Sequence, residues 1–222
     1  MTSFRPKYIT FDCYGTLTNF QMAEAARDIY GAQLDEPRML RFIKHFAAYR
    51  LDEILGAWKP YAEVVHNAVE RTCRKSGVAF RPENARAIYE RVPSWGPHPD
   101  VPAGLAKVAK EIPLVILSNA SDDQIMHNVE KLGAPFHKVF TAQQANAYKP
   151  RFQAFEYMFD MLGCNPEDVM HCSSSFRYDL MSAYDLGIRQ KVWVNRGHEP
   201  ANPYYNDVEI TDISGLPALL GL

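Results

Sequence analysis

The run YITFDCYGTL at residues 8–17 constrains this chain more than any other stretch. Tyr8, Ile9, Thr10 and Phe11 are β-branched or aromatic, the residue types that suit a buried strand. Asp12 comes at the strand's end, and Gly15 breaks the strand two residues after Cys13. In an open parallel sheet, ligands bind outside the carboxyl ends of the strands. An Asp there, followed by a Gly-containing turn, is placed for chemistry. The competing reading is a turn-starting Asp, common before Gly, and these residues alone leave both open.

The character changes after Leu17. Residues 20–92 are rich in Ala, Glu, Arg, Leu and Tyr, with apolar positions at helical spacing: Met39, Phe42, Ile43 and Phe46, then Ala62, Val65, Val69 and Cys73. Pro37 and Pro60 fall near helix starts. The pattern predicts about four helices and little strand. The segment PSWGPHPDVP at 93–102 is dense in Pro and Gly and reads as a linker. Beyond it, helices are predicted at 103–111, 122–132, 152–162 and 179–186. They alternate with strands at 113–119, 139–141, 168–173 and 191–195. That alternation predicts an α/β chain with a parallel sheet and helices on both faces.

Composition narrows the functional classes. A chain of 222 residues with a 47% hydrophobic fraction can bury one core domain and a smaller insert. A net charge of −2 gives no electrostatic reason to expect nucleic acid or an anionic membrane surface. Cys13, Cys73, Cys164 and Cys172 are widely spaced with no C-x-x-C pair, which predicts free thiols rather than a zinc site. No apolar run approaches the ~20 residues of a membrane span. The stretch before the first strand lacks the apolar region of a signal peptide. A soluble, cytoplasmic protein is the expectation.

Several strand ends carry polar groups: Asp12, Ser118-Asn119 and Ser173-Ser174-Ser175. A parallel sheet brings such ends to one edge. Taken singly, Ser118 or Asn119 would be an ordinary helix cap. Lys149 precedes Pro150, which biases it away from helix. An exposed loop lysine is the usual alternative.

Together, Asp12-x-Tyr14-Gly15-Thr16-Leu17, Ser118, Lys149-Pro150 and Ser174-Ser175 with Asp179 resemble the motifs of the haloacid dehalogenase superfamily, in particular its L-2-haloacid dehalogenase branch. The resemblance covers nearly the whole chain. It implies a Rossmann-like parallel-sheet core at 1–19 and 93–222, with an inserted helical cap domain at 20–92. It makes Asp12 the nucleophile, oriented with its water by Lys149 and Asp179 and positioned through Thr16 and Ser174. Ser118 and Asn119 would bind a substrate carboxylate, and Tyr14, Tyr61, Phe176 and Tyr178 would wall a small pocket. Arg41, or alternatively Lys44, would be the cap residue that meets the leaving group.

The sequence departs from the family at informative positions. Tyr14 stands where phosphatases carry a second Asp, and Ser175 where they carry a metal-binding Asp. A hydroxyl is a poor substitute for a carboxylate on Mg²⁺, so neither a metal nor another cofactor is expected. Phe176 replaces the dehalogenases' Asn, and Phe155 replaces a tyrosine. The implied function is displacement of the α-substituent of a short 2-substituted carboxylic acid through an aspartyl ester, foremost from a 2-haloacid. The alternatives are ring opening of the azetidine-2-carboxylate type, a phosphatase, and a silent binding module. The partner is a small molecule, and a homodimer is an expectation from the relatives. Turnover should survive EDTA and gain nothing from Mg²⁺. Loss with EDTA and recovery with Mg²⁺ would revive the phosphatase reading.

Overall fold

The first strand, β1 (Tyr8–Phe11), is short because Asp12 and the turn at Gly15 end it. The computed structural model describes residues 4–222. After β1 come four helices, α1 (Met22–Tyr30), α2 (Glu36–Leu55), α3 (Tyr61–Ser76) and α4 (Pro82–Glu90). The chain continues through α5 (Val101–Val108), β2 (Leu114–Ser118), α6 (Asp122–Val129), β3 (Lys138–Thr141), α7 (Ala142–Ala145) and α8 (Phe152–Leu162). It closes with β4 (Val169–Ser173), α9 (Met181–Asp185), β5 (Gln190–Val194), β6 (Val208–Ile210) and α10 (Leu216–Leu219).

Contacts divide the chain into two units, 20–95 and the remainder, 1–19 with 96–222. The first is all helix. Asp35 caps α2 by accepting the Arg38 N–H at 2.9 Å, and Pro37 lies in its first turn. Tyr30 and Phe42 meet at 4.8 Å among buried Phe46, Val65, Val69 and Ile88. Residues 93–95 side with this unit because Trp95 packs edge-on against Phe20 at 5.0 Å.

The second unit is a six-stranded parallel sheet in the order β3-β2-β1-β4-β5-β6. β1 is central, with Phe11 opposite both Ile116 of β2 and Cys172 of β4. Every residue of β2 and β4 is buried, as befits strands covered on both faces. The predicted strands are all present. β6 was not foreseen, because three residues at a sheet edge are too few to show a periodicity.

α5 starts two residues earlier than predicted, with Pro102 in its first turn. The helix predicted from 179 begins instead as a π-helical turn, Phe176–Leu180, in which the Leu180 N–H reaches the Ser175 carbonyl at 3.2 Å. Such turns are uncommon and cluster at functional sites. Among the described residues no helix is long and apolar enough to cross a membrane.

Gly104 lets α5 lie against the segment at Ile213. A Cβ at Gly104 would stand 2.6 Å from the Ile213 carbonyl oxygen. Gly104→Ala should therefore destabilise the protein by about 1–3 kcal/mol in denaturant unfolding, despite alanine's better helix propensity. An unchanged midpoint would show that α5 shifts freely.

Candidate active site

Asp12 leaves the carboxyl end of β1, its N–H bonded to the Cys172 carbonyl at 3.1 Å. The chain then turns back on itself. Gly15 takes φ of 95°, a conformation costly for any side chain, and the Gly15 N–H meets the Thr18 carbonyl at 2.9 Å. The turn brings Thr16 back beneath Asp12, where its hydroxyl donates to Asp12 Oδ2 at 2.8 Å. Thr16 Oγ1 accepts the Ser174 N–H at 2.9 Å, and Ser174 Oγ lies 3.1 Å from it. The predicted trio of Asp12, Thr16 and Ser174 is thus one hydrogen-bonded unit across β1 and β4.

Lys149 completes the centre. Its side chain is 1% exposed, and its ammonium has three acceptors: Asp12 Oδ1 at 2.9 Å, Asp179 Oδ1 at 2.6 Å and the Leu117 carbonyl at 2.7 Å. Asp179 is fully buried on the π-helical turn, and Oδ1 also lies 3.0 Å from His171 Nε2. Its Oδ2 has no partner among the described residues. Nor has the hydroxyl of Ser118, which ends β2 beside Leu117 and is likewise buried.

Two carboxylates share one cation here, and their acidities diverge. Burial raises Asp12, Lys149 opposes this, and the Asp179 charge adds to the rise, so Asp12 stands above the ordinary Asp value. Burial also works against the Asp179 charge, but Lys149 and the His171 hydrogen bond outweigh it and hold that carboxyl low. Burial opposes the Lys149 charge too, and the two carboxylates more than compensate, so the amine stays protonated. A lysine alone would depress Asp12; the second carboxylate and the desolvation reverse the direction here. Cys13, the neighbour of Asp12, is pushed up to about 12 by burial and remains a neutral thiol.

Other candidates take different places. The Asn119 carboxamide accepts the Lys149 N–H and donates to the Lys149 carbonyl, both at 2.8 Å. It clamps the lysine's backbone, which leaves the Ser118 hydroxyl as the open polar group of that pair. Tyr14 donates its hydroxyl to Asn128 Oδ1 at 3.0 Å. Phe176 is buried with Leu180 and Trp193, 5.0 Å between the two rings, so it packs the core rather than lining an open wall. Tyr178 is half-buried at the same turn.

Ser175 Oγ donates to Glu199 at 2.6 Å and caps the turn through the Tyr178 N–H at 3.1 Å, while Glu199 also accepts the Phe176 N–H at 2.9 Å. Among the described residues no group of three or more His, Cys, Asp or Glu side chains is arranged to hold a metal ion.

In the helical unit, Arg41 and Lys44 are exposed on α2. Tyr61 is buried and hydrogen-bonded to Arg50, whose guanidinium lies 5.6 Å from the Phe20 ring and 4.8 Å from Phe46.

Sequence reasoning missed four residues. Arg50 was detectable, one helical turn after Phe46 on the apolar stripe of α2. His171 was detectable as a polar residue inside an otherwise buried strand. Arg196 donates to the Thr16 carbonyl at 3.0 Å and forms a two-point pair with Asp100, both contacts 2.8 Å, which tethers the nucleophile turn. Neither Arg196 nor Glu199 carries a local sequence signal.

Residues 6–187 match the family model described as haloacid dehalogenase-like hydrolase. The (S)-2-haloacid dehalogenase H-109 of Pseudomonas putida is 26% identical over 192 residues, 85% of either chain. The N-acylneuraminate-9-phosphatase of Homo sapiens is 27% identical over 128 residues, 54% of this chain and 50% of that one. The solved structure of the L-2-haloacid dehalogenase from Xanthobacter autotrophicus with chloropropionic acid covalently bound superposes with a TM-score of 0.80 over 98% of this chain and 99% of that one. At 20% identity that likeness speaks for the fold.

Lys149→Met leaves two buried carboxylates without their cation, and turnover should fall about 100-fold or more. Both carboxyls would then sit above their unfolded-chain values. Groups raised in this way support the fold while protonated and oppose it once ionised, so the variant's melting temperature should drop as pH rises above the ordinary carboxylate range, more steeply than wild type's. Wild-type turnover in the variant would make Lys149 a purely structural residue.

Proposed function

The chain belongs to the haloacid dehalogenase-like hydrolase family, and from that premise we propose that it displaces the α-substituent of a short 2-substituted carboxylic acid, foremost a 2-haloacid. An Asp12 oxygen attacks the α-carbon, the carbon–substituent bond breaks, and the leaving group departs with the bonding pair. The product is an ester on Asp12. Water then attacks the Asp12 carbonyl carbon, its proton passing by way of Asp179 to the departing oxygen as the ester C–O bond breaks, which releases the hydroxy acid and leaves the Asp12 carboxyl to ionise again. Lys149 and Thr16 hold the attacking carboxylate, and the Ser118 hydroxyl meets the substrate carboxylate. The helical unit takes the family's cap role in this proposal.

One observation carries the reading. The Asp12 carboxylate is pinned at both oxygens, while two buried polar atoms around the same lysine, Ser118 Oγ and Asp179 Oδ2, have no partner among the described residues. Buried polar groups seldom stay unpaired, so these two suit a substrate anion and a hydrolytic water. The residue two places after Asp12 is a tyrosine committed to Asn128, which leaves a phosphate leaving oxygen without its carboxylic acid. The named relative from Pseudomonas putida is a haloacid dehalogenase, and the ligand in the Xanthobacter autotrophicus structure is covalently bound. Both support the same chemistry.

A second reading keeps the mechanism and changes the leaving group to a strained ring nitrogen, as in azetidine-2-carboxylate. It is favoured by position 176, which offers no side-chain amide and whose N–H is already held by the Glu199 carboxylate. A screen of 2-haloacids, haloacetates and azetidine-2-carboxylate separates the two by halide release and by ring-opened product.

The ester is tested by single turnover in ¹⁸O-water with enzyme in excess. A nucleophilic Asp12 gives its own oxygen to the product and recovers a labelled one, so mass spectrometry should find the label in the peptide containing Asp12. Label in the hydroxy acid with an unlabelled peptide would make Asp12 a general base and overturn the mechanism.

A further inference from the structure

We infer that His171 is a positioning residue for ester hydrolysis: through Nε2 it fixes Asp179 so that the carboxylate's free oxygen points at the attacking water. The inference rests on the function proposed above and goes beyond it, since the family motifs place no residue at this strand position.

The geometry is specific. His171 is fully buried in β4, and both of its ring nitrogens are occupied. Nε2 lies 3.0 Å from Asp179 Oδ1, and Nδ1 lies 2.7 Å from Thr10 Oγ1. An ionised carboxylate only accepts, so Nε2 carries the proton and Nδ1 accepts the Thr10 hydroxyl in the neutral ring. Phe155 meets the ring edge-on at 5.5 Å and holds its plane without competing for either nitrogen.

Lys149 and His171 therefore both act on the same oxygen of Asp179, Oδ1, and the opposite oxygen is left open. Lys149 alone cannot set the carboxylate's rotation, because a single ammonium contact leaves the plane free to turn. A second donor from a separate segment, β4, fixes it. A buried histidine serving only the core has no need for the very carboxylate oxygen that accepts from the nucleophile's lysine.

The step affected is distinctive. Alkylation of Asp12 depends on Lys149 and Thr16, whereas ester hydrolysis depends on Asp179. Losing His171 should slow the second step and spare the first, so the ester accumulates. The hydrogen bond is also among the influences that hold the Asp179 carboxyl low against burial. The charged groups facing that carboxyl are Lys149, on the loop before α8, and Asp12 at the end of β1. Thr10 and Phe155, the other hydrogen-bond and ring partners of His171, are uncharged. Without His171 the Asp179 carboxyl should rise, and with it the acid limb of the kcat profile.

The test compares His171→Leu, His171→Gln and Asp179→Asn with wild type, on the 2-haloacid or ring substrate that wild type turns over. Gln keeps a nitrogen donor near the Nε2 position. His171→Leu should lower kcat ~10–100-fold, the loss expected for a hydrogen bond to a charged group. It should give a leaving-group burst equal to the enzyme concentration, and an Asp12 peptide heavier by the substrate's carboxyalkyl group. Its acid limb should move to higher pH. His171→Gln should restore most of the turnover and abolish the burst.

If Asp179→Asn accumulates the ester and His171→Leu does not, the inference is overturned while the proposed function stands. Equal loss in the Leu and Gln variants, with no ester in either, would also overturn it and leave His171 a packing residue. If no variant and no wild-type quench yields an ester on Asp12, the proposed function fails and the inference with it.

Discussion

A lysine ammonium removed from water needs an acceptor for each of its three protons, and Lys149 finds them on three separate segments: the turn after β1, the carboxyl end of β2 and the π-helical turn after β4. Desolvating that cation and two carboxylates is costly, and such a cluster is tolerated only when geometry and hydrogen bonding are good throughout. Removing any member strands the others. The sheet order places β1 between β2 and β4, which is the arrangement that lets one side chain reach all three. Much of the surrounding structure keeps this contact in register.

The supports are local and each acts on a neighbour of the charge cluster. Asn119 holds the Lys149 backbone at both its N–H and its carbonyl. Arg196 holds the Thr16 carbonyl and is itself fixed by Asp100, which also accepts the Ile213 N–H at 2.8 Å. Gly15 permits the turn that returns Thr16 to Asp12. The Ser175 hydroxyl caps the turn that carries Asp179. Binding and catalytic groups work only when held close to their productive geometry, and here the holding falls to residues with no chemistry of their own.

The positions where this chain departs from its family are not vacant. Phe176 joins Leu180 and Trp193 in the core, and its N–H faces Glu199. Ser175 pairs with that same Glu199. Phe155 meets the His171 ring edge-on. A carboxylate reaching in from the segment after β5 thus changes the polarity around the start of the π-helical turn, where an anion would otherwise find free N–H groups. The electrostatics of this corner disfavour a second anion, and the second reading of the leaving group draws on that fact.

The sequence by itself determined the alternation of strands and helices, the linker after the helical block, and the chemistry-bearing strand ends. These are local properties: β-branched runs, helical spacing and Pro–Gly punctuation act within a few residues. It also marked Asp12, Thr16, Lys149, Ser174 and Asp179 through their motifs. The structure draws these together into one network. Only the tertiary structure decided how the charge is shared. The acidity of Asp12 depends on Asp179 and on burial, neither of which is visible at residue 12. It also decided that Asn119 serves the lysine, that Phe176 is core, and that Arg196, Glu199 and His171 touch the network. Each of these rests on contacts between residues far apart in sequence, 180 positions for Arg196 and Thr16. Periodicity and motif carry no record of such contacts, because the sheet order that creates them is a property of the whole chain.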